Sequence, residues 1–263
     1  MAQPDTDARE QRERGQGLLG ADPDLAALSA DAGAAGSRRA GESDVEPCVE
    51  PCVEPCVEPC VEPCVEPHVL PPGQYVPRTL PVLHYGPVPA FRPGTWDLRV
   101  LGSTESGAET HLCWDDVAAL PVTEVTADFH CVTKFTVPGV RWTGIPAAEI
   151  LRRYPPAADV THIMIWADFG YSANIRMSDF AADDTLLATH RDGARLTPEH
   201  GYPLRLVVPG LYAWKSVKWI RALEYLTADR RGFWEERGYH NTADPWKEQR
   251  YSYQELDGEG PPL

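Results

Sequence analysis

Apolar residues are distributed unevenly along this chain. The first seventy positions contain no run of them, whereas from about Tyr75 to Leu226 they recur in segments such as HIMIWA and LRLVVPGLYAW. The pattern predicts one folded domain over 71–251, behind an unstructured stretch over 1–70 and ahead of a short polar tail over 252–263. WDLRVLG (96–102) alternates like a strand ending in Gly102, and HLCWDDVAAL (111–120) reads as a short helix stopped by Pro121. EVTADFHCVTKF (124–135) is a β-prone run with Cys131 near its exit. IPAAEILRRY (145–154) predicts a helix, with Pro146 in its first turn and Ile150 and Leu151 at helical spacing. HIMIWA (162–167) is a short buried strand, GYSANIRM (170–177) is extended, and Ser178 caps a short helix through DFAADD. DTLLATHRDGARL (184–196) reads as a strand reaching a hairpin turn at Asp192–Gly193. LRLVVPG and SVKWIRALEYL are two further strands about a Pro–Gly corner. Short strands interleaved with short helices predict an α+β domain. The Pro-rich segment LPPGQYVPRTLPVLHYGPVPAFRPG (70–94) cannot stay regular and is expected to wrap the domain as extended chain.

The N-terminal stretch has its own pattern. Residues 45–68 read VEPC five times and then VEPH, ending at His68. Proline at every fourth position removes a backbone donor and blocks helix, and each preceding residue is pushed toward extended geometry. Cys48, Cys52, Cys56, Cys60, Cys64 and His68 offer soft-metal ligands, but at C-x3-C spacing rather than the C-x2-C knuckle of a zinc site. A structureless tetrapeptide expansion is the plainer reading. Five of the seven cysteines fall in this repeat, so only Cys113 and Cys131 belong to the folded part. A disulfide scaffold is therefore not expected.

Charge narrows the function classes. The formal net charge is −15, from 39 acidic and 24 basic residues, which disfavours a polyanionic partner such as nucleic acid. No apolar run is long enough to span a bilayer. The N-terminus MAQPDTDAREQRERGQGLLG has neither an apolar run after its charges nor an adjacent arginine pair, so a cytoplasmic location is expected.

Three features carry candidate chemistry. Cys131 sits in ADFHCVTKFT, where His130, Thr133 and Lys134 would favour a thiolate if they cluster; an inert buried thiol is the commoner fate of a free cysteine. PEHGYPLRLVVPGLYAWKSVKWI (198–220) concentrates His200, Arg205, Lys215 and Lys218 around a strand–turn–strand. Loop amides beside such cations make a phosphate cradle, and solvated strand-edge charges would look the same in sequence. WADFGYSANIRM (166–177) sets Asp168 and Tyr171 in a glycine-containing loop after a buried strand, a place for site residues and equally for an ordinary turn.

Taken in order, HCVTKF, W-x-G-I-P, DFGYSANI and HGYPLRLVVPG…KSVKWI resemble the sulfite oxidase-like molybdopterin oxidoreductases, in their short, haem-free bacterial branch. The likeness runs from about Pro71 to Tyr251 and includes GQYVPRTLPVLHYGP and GFWEERGYHNTADPWKEQRY. It implies the family's mixed-sheet fold and a molybdenum–molybdopterin cofactor. It also implies two-electron oxygen-atom transfer on a small substrate, either oxidation of an oxyanion or reduction of an S- or N-oxide. Cys131 becomes the protein's thiolate ligand to molybdenum. His200, Arg205 and the Ser216–Val217–Lys218 stretch match positions that hold the pterin and its phosphate, and Asp168 matches a further cofactor contact. Tyr171 falls on the active-site tyrosine, a donor to a substrate oxygen. Arg78 matches an anion-binding arginine near the metal, where a fixed guanidinium orients an oxyanion. Where the family carries Arg-Asn-His, this chain reads Arg78-Thr79-Leu80, which argues against a sulfite-specific pocket. There is no C-x-x-C-H haem motif, so electrons are expected to pass to or from a separate protein, and a C-terminal immunoglobulin-like dimerisation domain is not expected. Two other functions compete: a non-catalytic binding module on the same fold, and metal buffering through the cysteine repeat.

Overall fold

The computed structural model describes residues 69–262, and the VEPC repeat lies outside them. Ten strands form two sheets. The first has the order β2-β1-β10-β5-β6, from β1 (Asp97–Gly102), β2 (Thr110–Cys113), β5 (His162–Ala167), β6 (Ser172–Arg176) and β10 (Ile220–Leu226). Its β1–β10 pair is parallel, in register Arg99↔Ala222, and its other pairs are antiparallel. The second sheet is β3 (Thr123–His130), β4 (Thr136–Pro146), β7 (Leu186–Arg191) and β8 (Ala194–Arg195), with β9 (Arg205–Val207) also paired to β7. Three short helices punctuate them: α1 (Trp114–Ala118), α2 (Ala147–Arg153) and α3 (Met177–Phe180).

The alternation of the second sheet divides two cores. Along β7, Leu187 enters the main cluster with Leu98, Val100, Ile163, Ile150 and Phe180, so that cluster draws on both sheets. Its neighbours Leu186 and Ala188 turn the other way, into a smaller cluster with Phe129, Trp142 and Val207. Backbones meet closely at Gly144, where a Cβ would lie 2.2 Å from the Leu187 carbonyl oxygen, so no larger residue fits there.

Most predicted elements occur, with instructive differences. The helix expected over 111–120 begins as strand: in β2, Leu112 is buried between exposed His111 and Cys113, a period of two, and pairs with Leu98 of β1. Helix begins only at Trp114, where the Asp116 carboxylate accepts from the Cys113 N–H at 2.9 Å. Ser178 is not a cap, since α3 starts at Met177 and lasts a single turn. TVPGVRWTG, given no element from sequence, is most of β4. The Asp192–Gly193 hairpin is present, with φ of 51° and 78°, the left-handed pair that such two-residue turns need. The Pro-rich segment does run extended, joining the sheet through Tyr75 N–H to Lys134 O at 2.9 Å and Thr136 N–H to Tyr75 O at 2.9 Å. Residues 252–262, read as a tail, are fastened: Arg231 forks onto Glu255 at 2.9 and 2.6 Å, and Asn241 Nδ2 donates to Glu259 O at 3.0 Å.

Two connections build the site. One is the β3–β4 turn, Cys131–Phe135. The other is the passage from β9 to β10, where the chain leaves the second sheet and enters the first. There Arg205 and Lys218 form an antiparallel bridge before Trp219, at a φ of 57°, redirects the backbone.

Candidate active site

Cys131 opens a tight turn. Its N–H donates to Phe135 O at 2.8 Å, and its carbonyl accepts from Lys134 N–H at 3.0 Å, with Lys134 at a φ of 76°. Gln74 Nε2, from the extended segment, donates to the same carbonyl at 3.1 Å. The thiol is 7% exposed and accepts a contact from Thr133 Oγ1 at 3.2 Å. Burial pushes the thiol upward, while Thr133, Arg250 and Lys218 act in the opposite sense. Here is a soft ligand, protonated when alone, beside two cations.

The β8–β9 connection, β9 and the β9–β10 passage together deliver a cationic cluster. Gly201, at a φ of 109°, lets it form: a Cβ there would meet Arg205 Cβ at 2.9 Å and Lys218 Cβ at 3.3 Å. Arg205 is buried, its guanidinium carbon 5.0 Å above the Phe129 ring and 5.2 Å from the Trp142 ring. It donates to the carbonyls of His200 at 3.1 Å and Ser216 at 3.0 Å, and no carboxylate pairs with it among the described residues. Burial and the Arg191 charge lower it to about 9, so it stays cationic at neutral pH. Lys218 Nζ donates to Leu83 O at 2.8 Å and Glu199 O at 2.7 Å; burial, then Arg205, brings it down to about 7. His200 is held neutral, at about 4, by burial and then by Arg191, Lys218 and Arg205. Its Nδ1 pairs with Thr197 Oγ1 at 2.9 Å. Its Nε2 is buried without a hydrogen-bond partner among the described residues, and so is Arg191 Nη1. The nearby Leu80 backbone favours the protonated ring without completing a bond.

Arg191 was not visible as a site residue in the sequence. It reaches the cluster by register, opposite Trp142 in the β4–β7 pair, two strands from the Arg205 loop in sequence but one pairing away in space. The only carboxylate paired with these four groups among the described residues is that of Asp192, 56% exposed and 3.6 Å from Arg191 Nε. Unpartnered buried donors and cations that depress one another are the signature of a pocket whose anion is a ligand.

The remaining candidates divide. Tyr171 donates its OH to Trp214 O at 2.7 Å and packs against Phe233 at 5.6 Å; burial, then Glu235, lifts it well above the usual phenol range, so it is a neutral hydroxyl. Its partner Trp214 lies in the β9–β10 passage, which ties Tyr171 to that connection. Asp168 lies 3.5 Å from Arg221, its carboxyl raised by burial against the pull of that cation. The Ser216 hydroxyl accepts from Val208 N–H at 3.0 Å, and the amides of Ser216 and Val217 bond to Ala213 O at 3.1 Å and Lys215 O at 3.1 Å. That stretch therefore contributes position more than free donors. Lys215 leaves the cradle altogether: it pairs with Glu235 at 2.6 Å and donates to Asn174 O at 2.8 Å, in the interior. Arg78 is exposed, with no hydrogen bond or ion pair among the described residues.

A buried free thiol beside a cation-rich pocket that lacks its anion, on a mixed-sheet α+β domain, defines an oxidoreductase built to hold an anionic, metal-bearing cofactor. The chain belongs to the oxidoreductase molybdopterin binding domain family, which matches residues 85–234. It is similar to the uncharacterized oxidoreductase YuiH of Bacillus subtilis, 39% identical over 185 residues, covering 70% of this chain and 92% of that one. It is 28% identical over 126 residues to a putative protein-methionine-sulfoxide reductase subunit, YedZ1, of Azospira oryzae, covering 48% of each. Mitochondrial sulfite oxidase of Drosophila melanogaster is 27% identical over 186 residues, 60% of this chain and 32% of that enzyme. The chain thus spans nearly all of the first relative, about half of the second and a third of the last. Its cofactor is of the molybdopterin class.

The residues fit that group. A pterin phosphate answers the unpartnered Arg191 Nη1 and His200 Nε2 and the uncompensated Arg205, and a soft metal answers the buried thiol. Sulfate, which does not titrate near neutrality, should bind the cofactor-free protein through the same cluster. Lys218 loses its charge as pH rises through about 7, while Arg205, at about 9, stays mostly charged to pH 8, so sulfate binds more tightly at pH 6 than at pH 8. One charge-assisted contact, ~1.5 kcal/mol or more, makes this about tenfold in Kd. Calorimetric titration at the two pH values checks it, and equal affinities would remove Lys218 from the pocket.

Proposed function

We propose that the chain catalyses two-electron oxygen-atom transfer on a small substrate and exchanges electrons with a separate carrier protein. The observation that carries this reading is the buried, free Cys131 thiol on a turn gripped by Gln74 and Arg250, in a domain that also buries unpartnered nitrogens of Arg191 and His200. When bound, the molybdenum–pterin group supplies the redox chemistry. The chain supplies the rest. Cys131 ligates the metal, and His200, Arg205 and Lys218, with Arg191, hold the phosphate end. Asp168, on the far side of Trp219, braces the wall through Arg221. Tyr171 offers a neutral hydroxyl to a substrate oxygen.

Reduction of a neutral S- or N-oxide is the direction favoured. Leu80, where the family has a polar residue, packs against the apolar cluster of Phe129 and Trp142, and the oxyanion-orienting guanidinium expected of Arg78 stands in solvent. The designation of the Azospira relative as a putative reductase subunit agrees with that direction.

Protein purified from a molybdopterin-competent host should carry about one molybdenum and one pterin per chain. None would sink the proposal in favour of a binding module or of metal buffering through the cysteine repeat. Lys218→Ala should release the pterin about tenfold faster, the worth of one charge-assisted contact to phosphate; fluorescence of the oxidised pterin after gel filtration measures it. A screen with both oxidising and reducing dyes decides the direction.

A further inference from the structure

We infer that Arg250 clamps the Cys131 turn and is the fixed positive charge beside the metal-binding thiol. The inference rests on the reading of Cys131 as the metal's ligand. Arg250 lies in the C-terminal segment, far from Cys131 in sequence, yet is only 6% exposed. Its Nη1 donates to the carbonyl of Val132, the residue that follows Cys131. Its guanidinium carbon sits 5.0 Å from the Tyr212 ring, and Tyr212 belongs to the small cluster against which Val132 packs. The base of the side chain is held as firmly. Arg250 N–H donates to Glu248 O at 2.8 Å and to Gln254 Oε1 at 3.0 Å, and Arg250 O accepts from His240 N–H at 3.1 Å.

A guanidinium fixed at its base, stacked on a ring and donating to one carbonyl has little freedom left, so it restrains what it touches. What it touches is the turn that aims the thiol. Gln74 grips the Cys131 carbonyl and Arg250 the next one, so successive peptide groups are tied to two distant parts of the chain. Its other nitrogen, Nη2, is buried with no hydrogen-bond partner among the described residues; the Glu248 carboxylate, 3.7 Å away, is half exposed and screened. The half-exposed Glu248 carboxylate offsets the charge of Arg250 only in part, so that charge still acts on its surroundings. Arg250, rather than the exposed Arg78, is the fixed guanidinium at this thiol.

The test uses the holoenzyme. Arg250→Met keeps the pterin, because the phosphate anchors are untouched. Amide exchange across residues 131–136 accelerates at least tenfold, the thiolate-to-metal absorption shifts, and the metal's reduction potential falls, since a lost cation makes electron uptake less favourable. Arg250→Lys keeps the charge but not the fork, so it restores the potential without restoring protection of the turn. Unchanged exchange, absorption and potential in Arg250→Met overturn the inference, as does faster exchange spread evenly over the domain. If the methionine variant does not fold, Arg250→Lys carries the test: lost protection with potential kept supports the clamp, and both kept overturns it. A wild type without molybdenum defeats the ligand reading instead, while exchange in the cofactor-free protein still decides the clamp.

Discussion

Cys131→Ser is expected to reduce oxygen-atom transfer to background while leaving the pterin in place. The two effects separate because the structure separates their causes. The phosphate anchors come from β7 through Arg191, the β8–β9 connection through His200, β9 through Arg205 and the β9–β10 passage through Lys218, whereas the thiol comes from the β3–β4 turn. Serine keeps the turn, since the backbone bonds of Cys131 to Phe135 and Lys134 do not involve the side chain. It replaces a soft sulfur donor with a hard, weakly acidic hydroxyl, and the charge-transfer absorption of a thiolate on the metal disappears with it. Cys113→Ser is the control, because that thiol is exposed on the edge strand β2 and touches nothing in the site. Activity in Cys131→Ser close to that of Cys113→Ser would refute the ligand assignment. Loss of pterin along with activity would show that the turn and the phosphate cluster are one unit.

Local features were legible in the sequence. HIMIWA and the Asp192–Gly193 hairpin depend on neighbours a few residues away, and both occur where the pattern puts them. The motif order that resembles a known family also singled out Cys131 and the His200–Arg205 pair. What sequence could not show was partner choice across sheets. Lys215 and Lys218 are three residues apart with the same chemistry, yet one enters the interior against Glu235 and the other caps the carbonyls of Leu83 and Glu199. Arg191 joins the cluster only because β4 and β7 pair in a particular register. TVPGVRWTG gave no element because Pro138 and Gly139 interrupt its alternation, and β4 tolerates them only at its hairpin end, where Gly139 takes a φ of 60°. Arg250 had no motif of its own; its burial follows from the fastening of the C-terminal segment by Glu255, Gln254 and Glu259.

Glu235→Ala should lower stability by about 3–5 kcal/mol, a large share of the ~5–15 kcal/mol that holds a domain of this kind together. The pair it breaks is dry: Lys215 and Glu235 side chains are 1% and 0% exposed, with Nζ and Oε1 at 2.6 Å. Removing the carboxylate strands a buried ammonium whose charged form burial already disfavours. Oε1 also accepts from Trp214 Nε1 at 2.8 Å, and the Trp214 carbonyl receives the Tyr171 hydroxyl at 2.7 Å. The loss therefore loosens the very tyrosine that faces the site, and residual activity should fall even below the temperature at which the variant unfolds. Replacing both partners, as Glu235→Leu with Lys215→Met, leaves no unpaired charge and should recover most of the stability, because a buried ion pair is net favourable only against its own half-removed forms. Urea midpoints for the two single variants and the double one read this directly. A Glu235→Ala cost below about 1 kcal/mol, the range of exposed pairs, would mean that water reaches the pair.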